Sequence, residues 1–297
     1  LGLAFECLHH VFGEHSVDDP LEFLDAAEQQ VIAWGVPRAQ WLIADARALY
    51  IVKWVPDDLP VGIALARANL SLPAAARSPI ERGWTLVALL VACIEGAAYE
   101  EALQHGLALS RLAEHEDDPV LRYLGDYFLA YVFIIVGDIE GAQAPLQSAT
   151  ALLDRIGHRS SALVTNHMLT LALLNRFDAA DACSALLERP YRLYSLPALA
   201  LTDLGMGRLA VADARLPDEI AHRQINAPTA ANWAWVRGRI HLALGRPLSA
   251  LDIAHRYFER CKADGRSISP MNQTHLWAVV AQAHEALGDR DGALRAN

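Results

Sequence analysis

The residues Gly205-Met-Gly207-Arg-Leu-Ala210 have the spacing G-x-G-x-x-A, in which glycines let a backbone approach a pyrophosphate. That chemistry needs a strand running into the turn and a helix leaving it, so that N–H groups at the helix start meet the phosphates. Here the preceding Leu-Pro-Ala-Leu-Ala-Leu-Thr-Asp-Leu favours helix and lies inside a repeated segment. The match reads as coincidence, and no cofactor is expected. Cys7, His10, Glu14 and His15 form a second candidate, with i,i+3 and i,i+4 helical spacings suggestive of metal ligation. A structural zinc site wants four well-placed ligands, and Gly13 interrupts the helix before His15. These residues read as a helix end with solvated histidines, and no metal is expected. Glu114-His-Glu-Asp-Asp118 before Pro119 reads as an acidic helix start, favoured by the helix dipole. The motifs H-E-x-x-H and G-x-S-x-G and the phosphate-binding P-loop do not occur. The expectation is a protein without catalytic residues.

Composition points the same way. The chain has 297 residues, 53% of them hydrophobic, so it has ample material for a core. Its formal charge is −10, from 25 basic and 35 acidic side chains, which disfavours nucleic acid as a partner. Lys53 and Lys262 are the only lysines, and the Arg- and Ala-rich style reads as bacterial. Four scattered cysteines (Cys7, Cys93, Cys183 and Cys261) read as reduced thiols of a cytoplasmic protein. No apolar stretch reaches the roughly 18–20 residues that span a bilayer, so no membrane insertion is expected.

What must position any site is a repeat. Gly137-Asp138 is followed by Ala142, Gly245-Arg246 by Ala250 and Gly288-Asp289 by Ala293, each alanine five residues past its glycine. Seven residues before these glycines stand Ala130, Gly238 and Ala281, and four before stand Phe133, His241 and His284. Extending the frame gives turns at Asp57, Ala97, Gly137, Asn175, near Leu209, at Gly245 and at Gly288. Small residues at these places let two antiparallel helices cross closely, with apolar residues at helical spacing packing each pair on the next. One pair cannot bury its apolar face, so pairs must stack. The fold class is therefore all-α, an α-solenoid of about seven units from residue 40, after a degenerate helical pair over 1–39, as one domain over 1–297. Pro20, Pro119, Pro217 and Pro270 mark expected helix starts. His241 and His284 fall on the packing face as core-flanking histidines.

The small-residue, aromatic and turn-glycine positions resemble the tetratricopeptide repeat family. That resemblance implies a right-handed superhelix whose first (A) helices line a concave groove. Carried onto this frame, the groove positions are Arg47, Trp54, Trp84, Tyr127, Tyr131, Trp235 and Arg239. The A helices at Trp84 to Ile94 and Tyr127 to Val136 are apolar nearly all round, so either they are buried on every side or something apolar enters between them.

The chain starts at Leu1 and stops at Asn297 within a helical pattern, which reads as a piece of a longer protein. It is similar to repeat regions that precede a GGDEF diguanylate cyclase domain in bacterial signalling proteins. The expected function is a non-catalytic sensory and protein-interaction module. Its partner is a protein, a peptide or a small signalling ligand, and a homodimer is among the assemblies allowed. The alternative is the effector-binding or oligomerisation arm of a helix-turn-helix transcription activator.

Overall fold

The computed structural model describes residues 20–54, 58–71, 77–116, 118–153, 155–156, 161–187, 193–217, 227–264 and 268–296. Its elements are all helical. In chain order they are α1 (Pro20–Trp34), α2 (Pro37–Trp54), α3 (Leu59–Leu70), α4 (Pro79–Glu95), α5 (Tyr99–His115), α6 (Pro119–Ile135), α7 (Ile139–Leu153) and α8 (Ser161–Leu173). There follow α9 (Phe177–Ser184), α10 (Leu196–Gly205), α11 (Leu209–Arg215), α12 (Ala227–Ala243), α13 (Pro247–Ala263), α14 (Pro270–Ala286) and α15 (Arg290–Ala296). No strand occurs among the described residues. The chain forms two compact units, Leu1–Ser160 and Ser161–Asn297. Within each unit consecutive helices touch, so each is a stack of helix hairpins.

The hairpins owe their shape to one backbone device. Ala97, Gly137, Asn175, Gly207, Gly245 and Gly288 all have positive φ, between 57° and 83°. At each, the residue's own N–H donates to the carbonyl three residues back and the next N–H to the carbonyl five back, as in Gly137 to Ile134 and Asp138 to Phe133. The paired bonds satisfy carbonyls that a helix end leaves open. Five of these positions are turns read from the sequence. The turn expected near Leu209 falls at Gly207, and Leu209 is already the first residue of α11. Asp57 lies outside the described residues. The chain then enters the next helix at once: Asp138 and Asp289 accept hydrogen bonds from the N–H of Gly141 and Gly292, each at 2.9 Å.

The alanine five residues past each turn donates its N–H to the carbonyl of the residue just before the new helix, and its side chain faces the partner helix. Ala102, Ala142, Ala180, Ala212 and Ala250 are fully buried. Each second (B) helix buries only a stripe, such as Ala142, Leu146, Ala149 and Leu153 of α7. The A helices α4, α6, α12 and α14 differ because each touches its own B helix, the preceding pair's B helix and a neighbouring A helix. In α4 burial runs unbroken from Gly83 to Leu90, which is why that sequence is apolar all round. Pro20, Pro119 and Pro270 open helices as expected. Pro217 is followed by residues outside the described ones, and its carbonyl accepts from the Trp233 indole N–H at 3.0 Å.

Ala97 holds φ +58° with a side chain, whereas a Cβ at Gly137 would meet nothing within 4 Å. Only the dihedral preference separates the two. Ala97→Gly is expected to stabilise the chain by about 1 kcal/mol and Gly137→Ala to destabilise it by about 1–2 kcal/mol. Urea unfolding of both variants measures this. Equal midpoints would show that the left-handed turn is not the closure of these hairpins.

Candidate functional site

In the first unit Arg47, Trp84 and Tyr127 of the sequence-read groove positions are engaged within the fold. Arg47 Nη2 lies 2.7 Å from Asp25 and 2.6 Å from Glu28, so its charge is matched twice by α1. Trp54 is the last residue of α2. Trp84 and Tyr127 are core, at 8% and 2% exposure. Tyr123, Tyr127 and Tyr131, each four residues on, form a stacked column with centroids 5.8 and 6.1 Å apart. Burial, with Tyr127, Glu95 and Tyr99 nearby, pushes the Tyr131 phenol well above its ordinary range, so it remains a neutral hydroxyl.

Two polar clusters in this unit escaped the sequence reading. Asp45 is 1% exposed; its carboxylate accepts from Asn69 Nδ2 at 2.5 Å and from Thr85 Oγ at 2.7 Å. The Arg77 guanidinium donates to the same Thr85 oxygen at 2.8 Å. Burial pushes the Asp45 carboxyl up to about 7, outweighing the hydrogen bonds and Arg77, which pull it down. The second cluster joins Cys93, Glu101 and His105, whose ligating atoms lie within 4.8 Å of one another. Metal ligation needs the thiolate. Here burial and Glu101 push the Cys93 thiol up to about 11, and Glu101 already takes both Nε (3.0 Å) and Nη2 (2.6 Å) of Arg67. A second cation would stand beside the guanidinium. The cluster is an ion-pair clamp between α3 and α5. Cys7, His10, Glu14 and His15 lie outside the described residues.

The second unit resolves the glycine motif. Gly205 ends α10, where a Cβ would run into the Phe177 ring, and Gly207 is the left-handed turn. The segment before them is helix, so both glycines serve a hairpin. His241 is buried, and His284 Nδ1 lies 2.9 Å from the Asp289 carboxylate. Asp203, 2% exposed, receives Arg208 Nε at 2.7 Å and also Arg215; Asp181 receives Arg208, and Asp213 receives Arg237 at 2.5 Å.

Arg239 is the exception. Its guanidinium carbon lies 5.6 Å from the ring centre of Trp235, one helical turn back on α12. His275 of α14 stacks on that indole at 4.6 Å, with the planes 22° apart. Among the described residues no carboxylate pairs with Arg239. Burial alone lowers its affinity for the proton, with no acid offsetting it. His275 is held below its ordinary value by burial and then by Arg239. Its Nδ1 is buried without a hydrogen-bond partner among the described residues. The sequence reading held Trp235 and Arg239 but not His275. A signal existed: contacts between successive A helices recur at one repeat length. His275 follows Trp235 by 40 residues, as Thr85 follows Asp45 by 40.

Among the described residues no helix is long and apolar enough to cross a membrane. No protein-family model matches the chain, and no curated protein matches it.

Two measurements follow. The folded pKa of Asp45 stands above that of the unfolded chain, so its contribution is fully present below about pH 4 and is lost as pH rises to about 7. Asp45→Asn removes this loss. Its stability relative to the parent is expected to rise between pH 4 and pH 8, by up to about 4 kcal/mol. A pH-independent difference would mean that Asp45 titrates normally. Trp235, 6% exposed, is expected to cost about 3–5 kcal/mol on truncation to alanine, read from denaturant unfolding. A cost under about 1 kcal/mol would place its indole outside the core.

Proposed function

We propose that the chain is a non-catalytic ligand- and protein-interaction module of a larger bacterial signalling protein. The observation that carries this reading is the division of labour among its polar side chains. Buried acids and arginines are tied into clamps between neighbouring helices, as in Asp45–Asn69–Thr85 and Arg208–Asp203–Arg215. In the second unit the partly buried Arg239 meets no carboxylate among the described residues and stacks on Trp235 instead. Stacked helix hairpins suit binding because each contributes one row to an extended face, and occupancy is felt along the packed A helices.

In this proposal the module acts in the cytoplasm on an output domain, with a GGDEF diguanylate cyclase as the specific candidate. The support for the cyclase is the repeat pattern and the Arg/Ala-rich composition described above. Sequencing the gene beyond codon 297 tests it directly. The expected result is further helical sequence followed by a GGDEF segment. A helix-turn-helix instead would move the module to a transcription activator, and an immediate stop codon would sink the idea of a coupled output domain.

A further inference from the structure

Arg239 stands apart from other arginines of its unit. Arg208, Arg215 and Arg237 each meet a carboxylate, and Arg237 is only two residues away on the same helix. Arg239 meets an indole face and a neutral imidazole. A guanidinium withdrawn from water loses hydration that only a counter-charge or full hydrogen bonding restores. A cation–π contact restores a part. His275 deepens the shortfall, since its buried Nδ1 is also without a partner among the described residues. Both Arg239 and His275 keep part of their surface exposed, so a ligand can reach the pair.

We infer that Arg239, braced on Trp235 and flanked by His275, is a receptor for a carboxylate group. This inference rests on the interaction-module reading above and names the chemistry of the ligand. The guanidinium is planar with two parallel N–H donors, which matches the two oxygens of a carboxylate. The site offers a single positive charge because His275 is held neutral, which suits a monoanion better than a phosphate dianion. Trp235 orients the fork by stacking and is itself too buried to be the ligand's platform. The carboxylate has two possible sources, a free aromatic or aliphatic acid and the acidic side chain of a peptide, and both present the same group to Arg239.

The test uses the full chain labelled with 15N-arginine. The Nε–H resonance of Arg239 is identified by its absence in Arg239→Gln. Three probes are titrated: benzoate, an acetylated and amidated peptide with a single glutamate, and inorganic phosphate. The expected result is saturable movement of this resonance with benzoate or with the peptide, whichever supplies the natural source. Phosphate is expected to bind more weakly. In Arg239→Gln the affinity, measured calorimetrically, is expected to fall roughly tenfold or more, the usual worth of a charge-assisted hydrogen bond, with Arg239→Lys in between.

Arg239→Gln is also expected to melt no lower than the parent, because it relieves an unmatched charge. A melting loss comparable to that of a core truncation would make Arg239 a structural residue and overturn the inference. So would a silent Arg239 resonance with both carboxylates, binding unchanged in Arg239→Gln, or phosphate binding at least as tightly. These results are independent of the gene sequence beyond codon 297. A missing output domain with intact carboxylate binding would refute only the module reading, and the converse only the receptor.

Discussion

Everything in this fold hangs on a residue that turns the chain with positive φ. One left-handed residue ends the A helix, closes its last carbonyls with two backbone hydrogen bonds and leaves a single residue before the B helix begins. With so short a link the B helix has no freedom to choose its face. Its first inward residue must fall five positions past the turn, against the A helix just completed, and alanine stands there in each of the six hairpins. Glycine holds the turn at four of these positions, where it costs nothing sterically. Ala97 holds it against its steric preference, whereas Asn175 is a residue type that enters this region more readily.

From that closure follows the different chemistry of the two helix types. A B helix is covered on one side and needs only a stripe of small and aliphatic residues. An enclosed A helix such as α4 or α6 is covered by its own partner, the preceding pair and its A-helix neighbours, so a polar group on its covered faces is removed from water. Such a group must find a partner from the protein, and the partner sits about one repeat away: Asp45 with Thr85, Trp235 with His275. The small residues obey the same register. A Cβ on Gly238 would lie 2.6 Å from Cγ1 of Val279, 41 residues on.

This register explains what was legible in the sequence. The hairpin turns, the buried alanines and the fully covered A helices are local patterns, visible in a window of about 20 residues. The groove positions were harder, because a residue's angular place on an A helix does not tell whether the next A helix covers it. Trp84 and Tyr127 are covered; Arg47 is neutralised by Asp25 and Glu28, which lie on a helix whose repeat pattern is weak. The Asp45 cluster and His275 were missed for the same reason, since their partners lie one repeat away. Comparing residues at that spacing would have joined both pairs.

The second unit shows how such a register separates stability from recognition. Arg237 and Arg239 are two residues apart on α12 and therefore point about 200° apart around its axis. One direction meets Asp213, whose carboxylate restores what burial removes. The other meets Trp235 and His275, which supply apolar contact, quadrupole attraction and no negative charge. A stacked cation gains about 0.5–2 kcal/mol, whereas withdrawing a charge from water costs several kcal/mol. Evolution for stability alone is served equally well by an acid on α14 or an uncharged side chain at 239, and the chain, with 35 acidic residues, does not lack acids. Placing an imidazole there instead leaves the counter-charge to be supplied from outside. An arginine held rigid by an indole and short of one carboxylate is organised before its ligand arrives, so little conformational entropy is lost on binding.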